Sequence, residues 1–179
     1  MVKRVFLVGY MGSGKSTIGR YVAADMKWDF VDMDAYFERK HQCTISSFFA
    51  DHGEDAFRRA EHEVVAELCK AERTIVATGG GAPCFFDNMD LMNAAGATIY
   101  INVSPDELTA RLRTQRDQRP ILASKTDDEL LDFIGRQLAQ REPHYRKAHM
   151  VVDGKSLPFD SYRTLIEYFP DELLTDTNP

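Results

Sequence analysis

Residues 9–16, with the sequence GYMGSGKS, match the phosphate-binding pattern G-x-x-x-x-G-K-[ST]. A short apolar run precedes them and a helical pattern follows, so the glycine amides could surround phosphate oxygens. We expect Lys15 to reach the β- and γ-phosphates of a nucleotide and the Ser16 hydroxyl to ligate one Mg²⁺ ion. The other expected nucleotide contacts are Gly12, Ser13, Gly14 and Thr17. The segment therefore predicts a nucleotide-binding loop.

Two aspartates stand where the second predicted strand ends, with Asp32 and Asp34 on either side of Met33. In open α/β sheets, ligands bind outside the carboxyl ends of the strands, which places this pair beside the phosphate loop. One carboxylate could hold Mg²⁺ through water while the other faces the hydroxyl of an acceptor. The alternative is that Asp34 simply caps the helix that follows.

Arg58 and Glu61 lie three residues apart in a long helical pattern, and this spacing puts them on one side of the helix. Held by Glu61, Arg58 could grip a ligand carboxylate through two parallel N–H bonds. The alternative is a surface salt bridge, which the spacing alone favours.

A glycine triplet, Gly79, Gly80 and Gly81, directly follows the third predicted strand. Consecutive glycines let a ligand approach the backbone closely and can present N–H donors. A plain turn rarely needs three glycines, so the triplet predicts part of a ligand site, with a simple turn as the alternative.

A cluster of arginines that suggests an anionic ligand lies at residues 111, 113, 116 and 119. Arg116 and Arg119 stand in a polar loop, and Arg141 lies near the end of the next helix. An arginine-bearing loop over a nucleotide can close as a lid that adds positive charge and excludes water. We expect such a mobile lid over residues 112–126. The alternatives are a solvated helix face for the cluster and, for Arg141, a favourable charge at a helix C-terminus.

Strand and helix patterns alternate along the chain, which predicts an α/β fold with a parallel sheet and helices on both faces. Strands are predicted at residues 4–8, 30–32, 74–77, 97–103 and 150–152. Helices are predicted at residues 15–26, 34–40, 44–51, 54–69, 86–94, 104–115, 126–141 and 158–168. Gly53 is expected to stop one helix and Pro143 to end or kink another. Capping boxes are expected at residues 104–107 and 126–129.

Composition narrows the class of protein. The chain has 179 residues, which suits a single domain over residues 1–170 with a C-terminal tail at 171–179. The net charge of −6 argues against general nucleic-acid binding, and no apolar run approaches the length needed to cross a membrane. Three cysteines without metal-type spacing fit reduced thiols. We expect a cytoplasmic monomer.

Taken together, these segments resemble shikimate kinase over nearly the whole chain, to about residue 160. The resemblance rests on the order and spacing of the phosphate loop, the two aspartates, the segment at 53–61, the glycine triplet, the segment at 119–122 and the segment at 141–145. It implies a three-layer α/β/α P-loop kinase fold with a five-stranded parallel sheet. It also implies that ATP phosphorylates the 3-hydroxyl of shikimate, giving shikimate 3-phosphate and ADP.

The resemblance assigns roles to individual residues. Shikimate would be bound within a region at about 32–61 and by the glycine triplet, through Asp34, Arg58, Gly80 and Arg141. The two arginines would grip its carboxylate, while Arg119 would close over the ATP phosphates. Ser16, with Asp32 through water, would hold Mg²⁺. Three residues are expected to act in catalysis: Asp34, Lys15 and Arg119. Adenine contacts are expected near residues 153–158.

Two other functions fit the same patterns. Arginines grip phosphates as readily as carboxylates, so a P-loop kinase for gluconate or a nucleoside monophosphate is the first alternative. The second is a regulatory module that binds a nucleotide and has no acceptor. The set of Asp34, Arg58, Gly80 and Arg141 favours shikimate over the first alternative. The presence of Lys15, Asp34 and Arg119 argues against the second.

Overall fold

The computed structural model describes residues 2–114 and 125–170. Five parallel strands form one sheet, as predicted, and their order in the sheet is β2-β3-β1-β4-β5. The strands are β1 (Arg4–Val8), β2 (Asp29–Asp32), β3 (Thr74–Ala77), β4 (Ala97–Asn102) and β5 (Met150–Asp153).

Seven α-helices connect and cover these strands within the described part of the chain. They are α1 (Lys15–Met26), α2 (Met33–His41), α3 (Ile45–Leu68), α4 (Asn88–Ala95), α5 (Pro105–Arg113), α6 (Asp127–Tyr145) and α7 (Phe159–Glu167). A short 3₁₀-helix at Ala82–Cys84 follows the glycine triplet. No helix among these residues is both long enough and apolar enough to cross a membrane.

The central strands are buried on both faces. Every residue of β3 and all but the last residue of β4 are buried, and β1 is buried from Val5 onward. Side chains alternate between the two faces of a sheet, so uniform burial means that both faces are covered. The edge strand β5 instead alternates between exposed and partly buried residues. The layering is therefore the α/β/α arrangement that the sequence predicted.

The strand register places three functional segments at one edge of the sheet. Leu7 of β1 pairs with Ala77 of β3, and Ala77 also pairs with Asp32 of β2. The chain leaves these strands into the phosphate loop, the glycine triplet and the start of α2, respectively. The parallel sheet thus brings residues about 70 positions apart in sequence to a common edge.

Several helix boundaries differ from those predicted. The residue that caps α2 is Asp32, whose side chain accepts from the Ala35 N–H, so the alternative that gave this cap to Asp34 is wrong. α4 begins at Asn88 rather than Phe86, because Phe86 has φ of 50° in the left-handed region. α6 continues for two residues beyond Pro143, which is exposed in the last turn of the helix.

Gly53 interrupts α3, as the sequence predicted. Its φ of 77° and ψ of 175° are not helical, so the segments before and after it are two helices that meet at a break. A positive φ of this kind is readily adopted only by glycine. A Cβ atom at this position would meet nothing within 4 Å. The break is therefore a property of the backbone alone.

The two expected capping boxes differ. At α6, Thr126 Oγ1 accepts from the Glu129 N–H. The Glu129 carboxylate accepts from the Thr126 N–H, which completes the box. At α5, Ser104 caps the Glu107 N–H, but the Glu107 carboxylate binds Arg111 and Lys155 instead of completing the box. The capping box predicted at residues 104–107 is therefore only half formed.

Candidate active site

The phosphate loop joins β1 to α1 through three glycines with positive φ. These are Gly9 (143°), Gly12 (80°) and Gly14 (99°), and Gly14 is the residue that precedes the helix. Gly14 offers no side-chain cap, so the first N–H groups of α1 remain oriented toward the loop. These N–H groups and the helix dipole make the start of α1 a binding site for an anion.

Lys15 lies along the inner side of this loop. Its Nζ donates to the carbonyls of Gly9 at 2.8 Å and Tyr10 at 2.9 Å, and the residue is only 8% exposed. Backbone carbonyls thus hold the ammonium group beside the N–H groups that would face phosphate. Lys15 is placed where the sequence predicted a phosphate-contacting cation.

Ser16 and Asp32 meet at the base of the loop. The Ser16 hydroxyl donates to Asp32 Oδ2 at 2.7 Å, while Oδ1 of the same carboxylate caps α2. A hydroxyl oxygen and a carboxylate are the hard oxygen donors that Mg²⁺ prefers. The two residues predicted to hold the metal are therefore in contact.

A cavity of about 220 Å³ connects the loop to the residues beyond it. Residues of the phosphate loop form one wall, and Asp34, Thr78 and Gly80 line it from the ends of the other strands. A larger cavity of about 450 Å³ lies beside Val2, Trp28 and Ile166, at the amino ends of the strands, and contains none of the predicted site residues. The 220 Å³ cavity is therefore the one that predicted site residues line.

The backbone of Gly79 lies between two carboxylates. A Cβ atom on Gly79 would lie 2.8 Å from Asp34 Oδ1 and 3.2 Å from Glu61 Oε1. Asp34 is exposed to the cavity, whereas Glu61 is 3% exposed. A side chain larger than hydrogen at Gly79 would displace one of them, which explains the first glycine of the triplet.

The Arg58–Glu61 pair is largely buried, so the alternative prediction of a surface salt bridge is wrong. Arg58 Nη1 lies 2.7 Å from Glu61 Oε2, with side-chain exposures of 14% and 4%. Burial raises the pKa of the Glu61 carboxyl above its ordinary value, while the Arg58 guanidinium opposes that rise. The guanidinium also lies against Gly81, where a Cβ atom would be 2.8 Å from Nη1.

Arg141 lies beside the phosphate loop and the glycine triplet. Its Cζ lies 5.4 Å from the centre of the Tyr10 ring, and its Nη1 would be 3.8 Å from a Cβ atom on Gly80. One turn later in α6, the buried Tyr145 donates a hydrogen bond from its hydroxyl to the Gly80 carbonyl. The end of α6 is thereby fixed to the triplet, with Arg141 close to Tyr10 and Gly80.

The three glycines therefore lie among side chains and backbone from several parts of the chain. A Cβ atom on Gly79 would meet Asp34, one on Gly80 would meet the phosphate loop and Arg141, and one on Gly81 would meet Arg58. Such close approach on all three residues is more than a simple turn requires.

Some residues at this site were not identified from the sequence. Thr78 lines the cavity and Phe85 lies against Arg58, yet neither belongs to a motif. Arg111, grouped in the sequence with the anion-binding arginines, instead donates to the carbonyls of Gly12, Ser13 and Gly154 at 3.3–3.4 Å. It joins the loop to the segment where adenine contacts are expected.

Two predictions about other residues have different outcomes. Arg119 and most of the expected lid lie outside the described residues. Cys84 lies near Arg58 and Arg141, and burial raises the pKa of its thiol to about 11, which keeps it protonated and unreactive at neutral pH. The sequence assigned no chemistry to the cysteines.

Comparison with known proteins points to one family. The family model described as shikimate kinase matches residues 11–168. A shikimate kinase from Parabacteroides distasonis is 44% identical over 160 residues, which are 89% of this chain and 92% of that protein. A shikimate kinase from Phocaeicola vulgatus is 46% identical over 154 residues, covering 86% of this chain and 88% of the relative.

Solved structures agree with the sequence relatives. The crystal structure of shikimate kinase from Bacteroides thetaiotaomicron superposes with a TM-score of 0.89 at 40% identity, covering 93% of this chain and 99% of that one. Shikimate kinase from Acinetobacter baumannii, solved in complex with shikimate, gives a TM-score of 0.77 at 29% identity over 100% of this chain and 97% of that one. A gluconokinase from Sinorhizobium meliloti, at 16% identity and a TM-score of 0.57, shares the fold alone. The chain belongs to the shikimate kinase family.

Proposed function

We propose that this protein transfers the γ-phosphate of ATP to the 3-hydroxyl of shikimate, giving shikimate 3-phosphate and ADP. The observation that carries the proposal is the glycine triplet, which lies beside the phosphate loop, an aspartate and two arginines. Phosphoryl transfer depends mainly on positioning two substrates and neutralising charge. One half of this site suits a triphosphate, and the other half suits a small hydroxylated carboxylate.

The donor half would be formed by the phosphate loop. Backbone N–H groups of residues 12–17 would bind phosphate oxygens, and Lys15 would turn from the loop carbonyls toward the β- and γ-phosphates. Arg119 would add positive charge over the same phosphates. Excluding water there would protect ATP from hydrolysis.

Ser16 and Asp32 would hold one Mg²⁺ ion, Ser16 directly and Asp32 through water. Their contact at 2.7 Å supports this assignment, since the serine can donate its proton to Asp32 while its oxygen lone pair faces the metal. Among the described residues there is no cluster of three or more acidic, histidine or cysteine side chains that could hold a metal. Two protein oxygens suffice because Mg²⁺ in nucleotide sites keeps waters and phosphate oxygens as its other ligands. The ion would neutralise the phosphate charge that develops during transfer.

The acceptor half would be formed around the triplet. Asp34 would bind the reacting hydroxyl at the cavity edge nearest the phosphate loop. Arg58 and Arg141 would bind the carboxylate, since guanidinium groups recognise carboxylates bidentately. The protein would act as a cytoplasmic monomer that binds neither nucleic acid nor a membrane.

A coupled assay of ADP release tests the proposal, with shikimate, gluconate and a nucleoside monophosphate each offered as the acceptor. We expect ADP release that depends on shikimate and on neither of the others. Turnover with gluconate or the nucleotide but not with shikimate would contradict the proposal. ATP binding without turnover on any acceptor would identify a regulatory module instead.

A further inference from the structure

The guanidinium group of Arg58 is enclosed by aromatic rings and backbone. Its Cζ lies 3.9 Å from the centre of the Phe85 ring and 5.0 Å from that of Phe57. A Cβ atom on Gly81 would lie 3.1 Å from Nη2 and 3.2 Å from Cζ. The planar group therefore occupies a narrow slot, and Phe85 makes the closest ring contact in it.

The edge of the same group is only partly satisfied. Nη1 donates to Glu61 at 2.7 Å, and Nη2 reaches Glu54 at the longer distance of 3.5 Å. The buried Nε has no hydrogen-bond partner among the described residues. A guanidinium has five N–H donors, so the Nε and Nη2 edge retains donors for a planar carboxylate.

Phe85 differs chemically from the other groups that hold Arg58. Glu54 and Glu61 bind the guanidinium with carboxylates, which compete with a carboxylate ligand for the same donors. An aromatic face attracts a cation through its quadrupole and takes up no N–H donor. Phe85 can therefore hold the plane of the guanidinium while leaving its edge available.

The backbone separates Phe85 from the adjacent Phe86. Phe85 is extended, with φ of −118°, whereas Phe86 has φ of 50°. The left-handed conformation is unfavourable for a residue with a Cβ atom, and here it directs consecutive rings to different places. Phe86 is 61% exposed and lies 5.2 Å from His62, while Phe85 packs on Arg58.

We propose that Phe85 is a positioning residue of the acceptor site, which holds the Arg58 guanidinium so that its Nε and Nη2 edge faces the acceptor carboxylate. This inference rests on the proposed function, in which Arg58 binds that carboxylate. Loss of the aromatic face would weaken acceptor binding and leave the donor half unchanged.

The test compares Phe85→Leu with Phe86→Leu, a matched change at the neighbouring ring. We expect Phe85→Leu to raise the KM for shikimate about fivefold to tenfold, with kcat and the KM for ATP within about twofold. Phe85→Tyr, which keeps the aromatic face, should stay within about twofold of the wild type. Phe86→Leu should leave all three constants unchanged. An unchanged KM for shikimate in a folded Phe85→Leu variant would overturn the inference.

A double-mutant cycle separates this inference from the function beneath it. If Phe85 acts through Arg58, Phe85→Leu should have no further effect on the KM for shikimate in an Arg58→Ala background. An equal, additive effect in both backgrounds would show that Phe85 acts independently and would overturn the inference. Failure of the proposed function has a different signature, since the wild-type enzyme itself would then show no turnover that depends on shikimate.

Discussion

Asp34 is the carboxylate that faces the cavity where the two substrates would meet. It lies beside Gly79 and lines the cavity together with the phosphate loop. Its neighbour Asp32 is occupied with Ser16 and with the cap of α2. The two aspartates are therefore distinguished by their contacts, and each can be tested separately.

Replacing Asp34 with Asn should lower kcat by about 100-fold or more, since the amide cannot accept the proton of the acceptor hydroxyl. Affinity for ATP should be unchanged, because Asp34 belongs to the acceptor half of the proposed site. Steady-state ADP release gives kcat, and calorimetric titration of ATP gives the affinity. Near-normal turnover in the variant would show that the role assigned to Asp34 is wrong.

Replacing Asp32 with Asn isolates its negative charge. Asparagine caps helices about as well as aspartate and can still accept from Ser16, so α2 should remain intact. The Mg²⁺ concentration that gives half-maximal activity should rise about tenfold or more. Activity measured against Mg²⁺ at fixed ATP checks this.

The matched control is Asp29→Asn, which removes the same charge at the exposed start of the same strand. It should leave the Mg²⁺ requirement unchanged. An equal shift in both variants would mean that general charge, rather than a metal site at Asp32, sets the requirement.

At the scale of secondary structure, the start of α6 carries a complete capping box and the start of α5 only half of one. Thr126→Ala removes both the side-chain cap and the support for the Glu129 bond. The free energy of unfolding should fall by about 1 kcal/mol, with a smaller loss for the matched Ser104→Ala variant. Urea denaturation of both variants measures this difference. Equal losses would show that the reciprocal bond from Glu129 contributes nothing.

The sequence predicted those parts of the site that depend on local pattern. The phosphate loop, the two aspartates and the glycine triplet each follow a strand, and parallel strands bring such ends together. The spacing of Arg58 and Glu61 predicted that they pair but not that they are buried. Burial depends on what packs over them, which no helical period encodes.

Other contacts could not have been predicted, because their partners are distant in sequence. Arg111 reaches the carbonyl of Gly12 across 99 positions, and Tyr145 reaches Gly80 across 65. In the sequence, Phe85 cannot be distinguished from an ordinary core residue. Its contact with Arg58 is seen only in the folded chain. The capping box predicted at residues 104–107 was incomplete for a related reason. Glu107 binds Arg111 and Lys155 instead, and the sequence pattern did not reveal these partners.

At the scale of the whole molecule, the buried carboxyl of Glu61 links stability to pH. Its pKa is raised in the folded protein, so the folded state binds the proton more tightly than the unfolded state does. This contribution to stability is fully present below the unfolded value, near 4.5, and is lost as pH rises through the folded pKa. The protein thus carries one component of stability that declines as pH rises above about 4.5.

Glu61→Gln should remove that component. The difference in unfolding free energy between wild type and variant should therefore favour the wild type most at the acidic end and shrink as pH rises above 4.5. Urea denaturation of both proteins across this range provides the measurement. Subtracting the variant cancels the carboxyls whose pKa values are lowered, such as Glu129 and Asp153. A difference that grows with pH would contradict the assigned sign.

The break at Gly53 divides α3 into two segments that are held by different contacts. Residues 45–52 pack through aromatic rings, with the Phe48 ring 5.1 Å from that of Phe37 and the Phe49 ring 5.7 Å from that of Phe57. The segment after the break carries Arg58, which is anchored by a buried ion pair. Rotation about the backbone of Gly53 would change the direction of residues 45–52 without breaking the ion pair between Arg58 and Glu61.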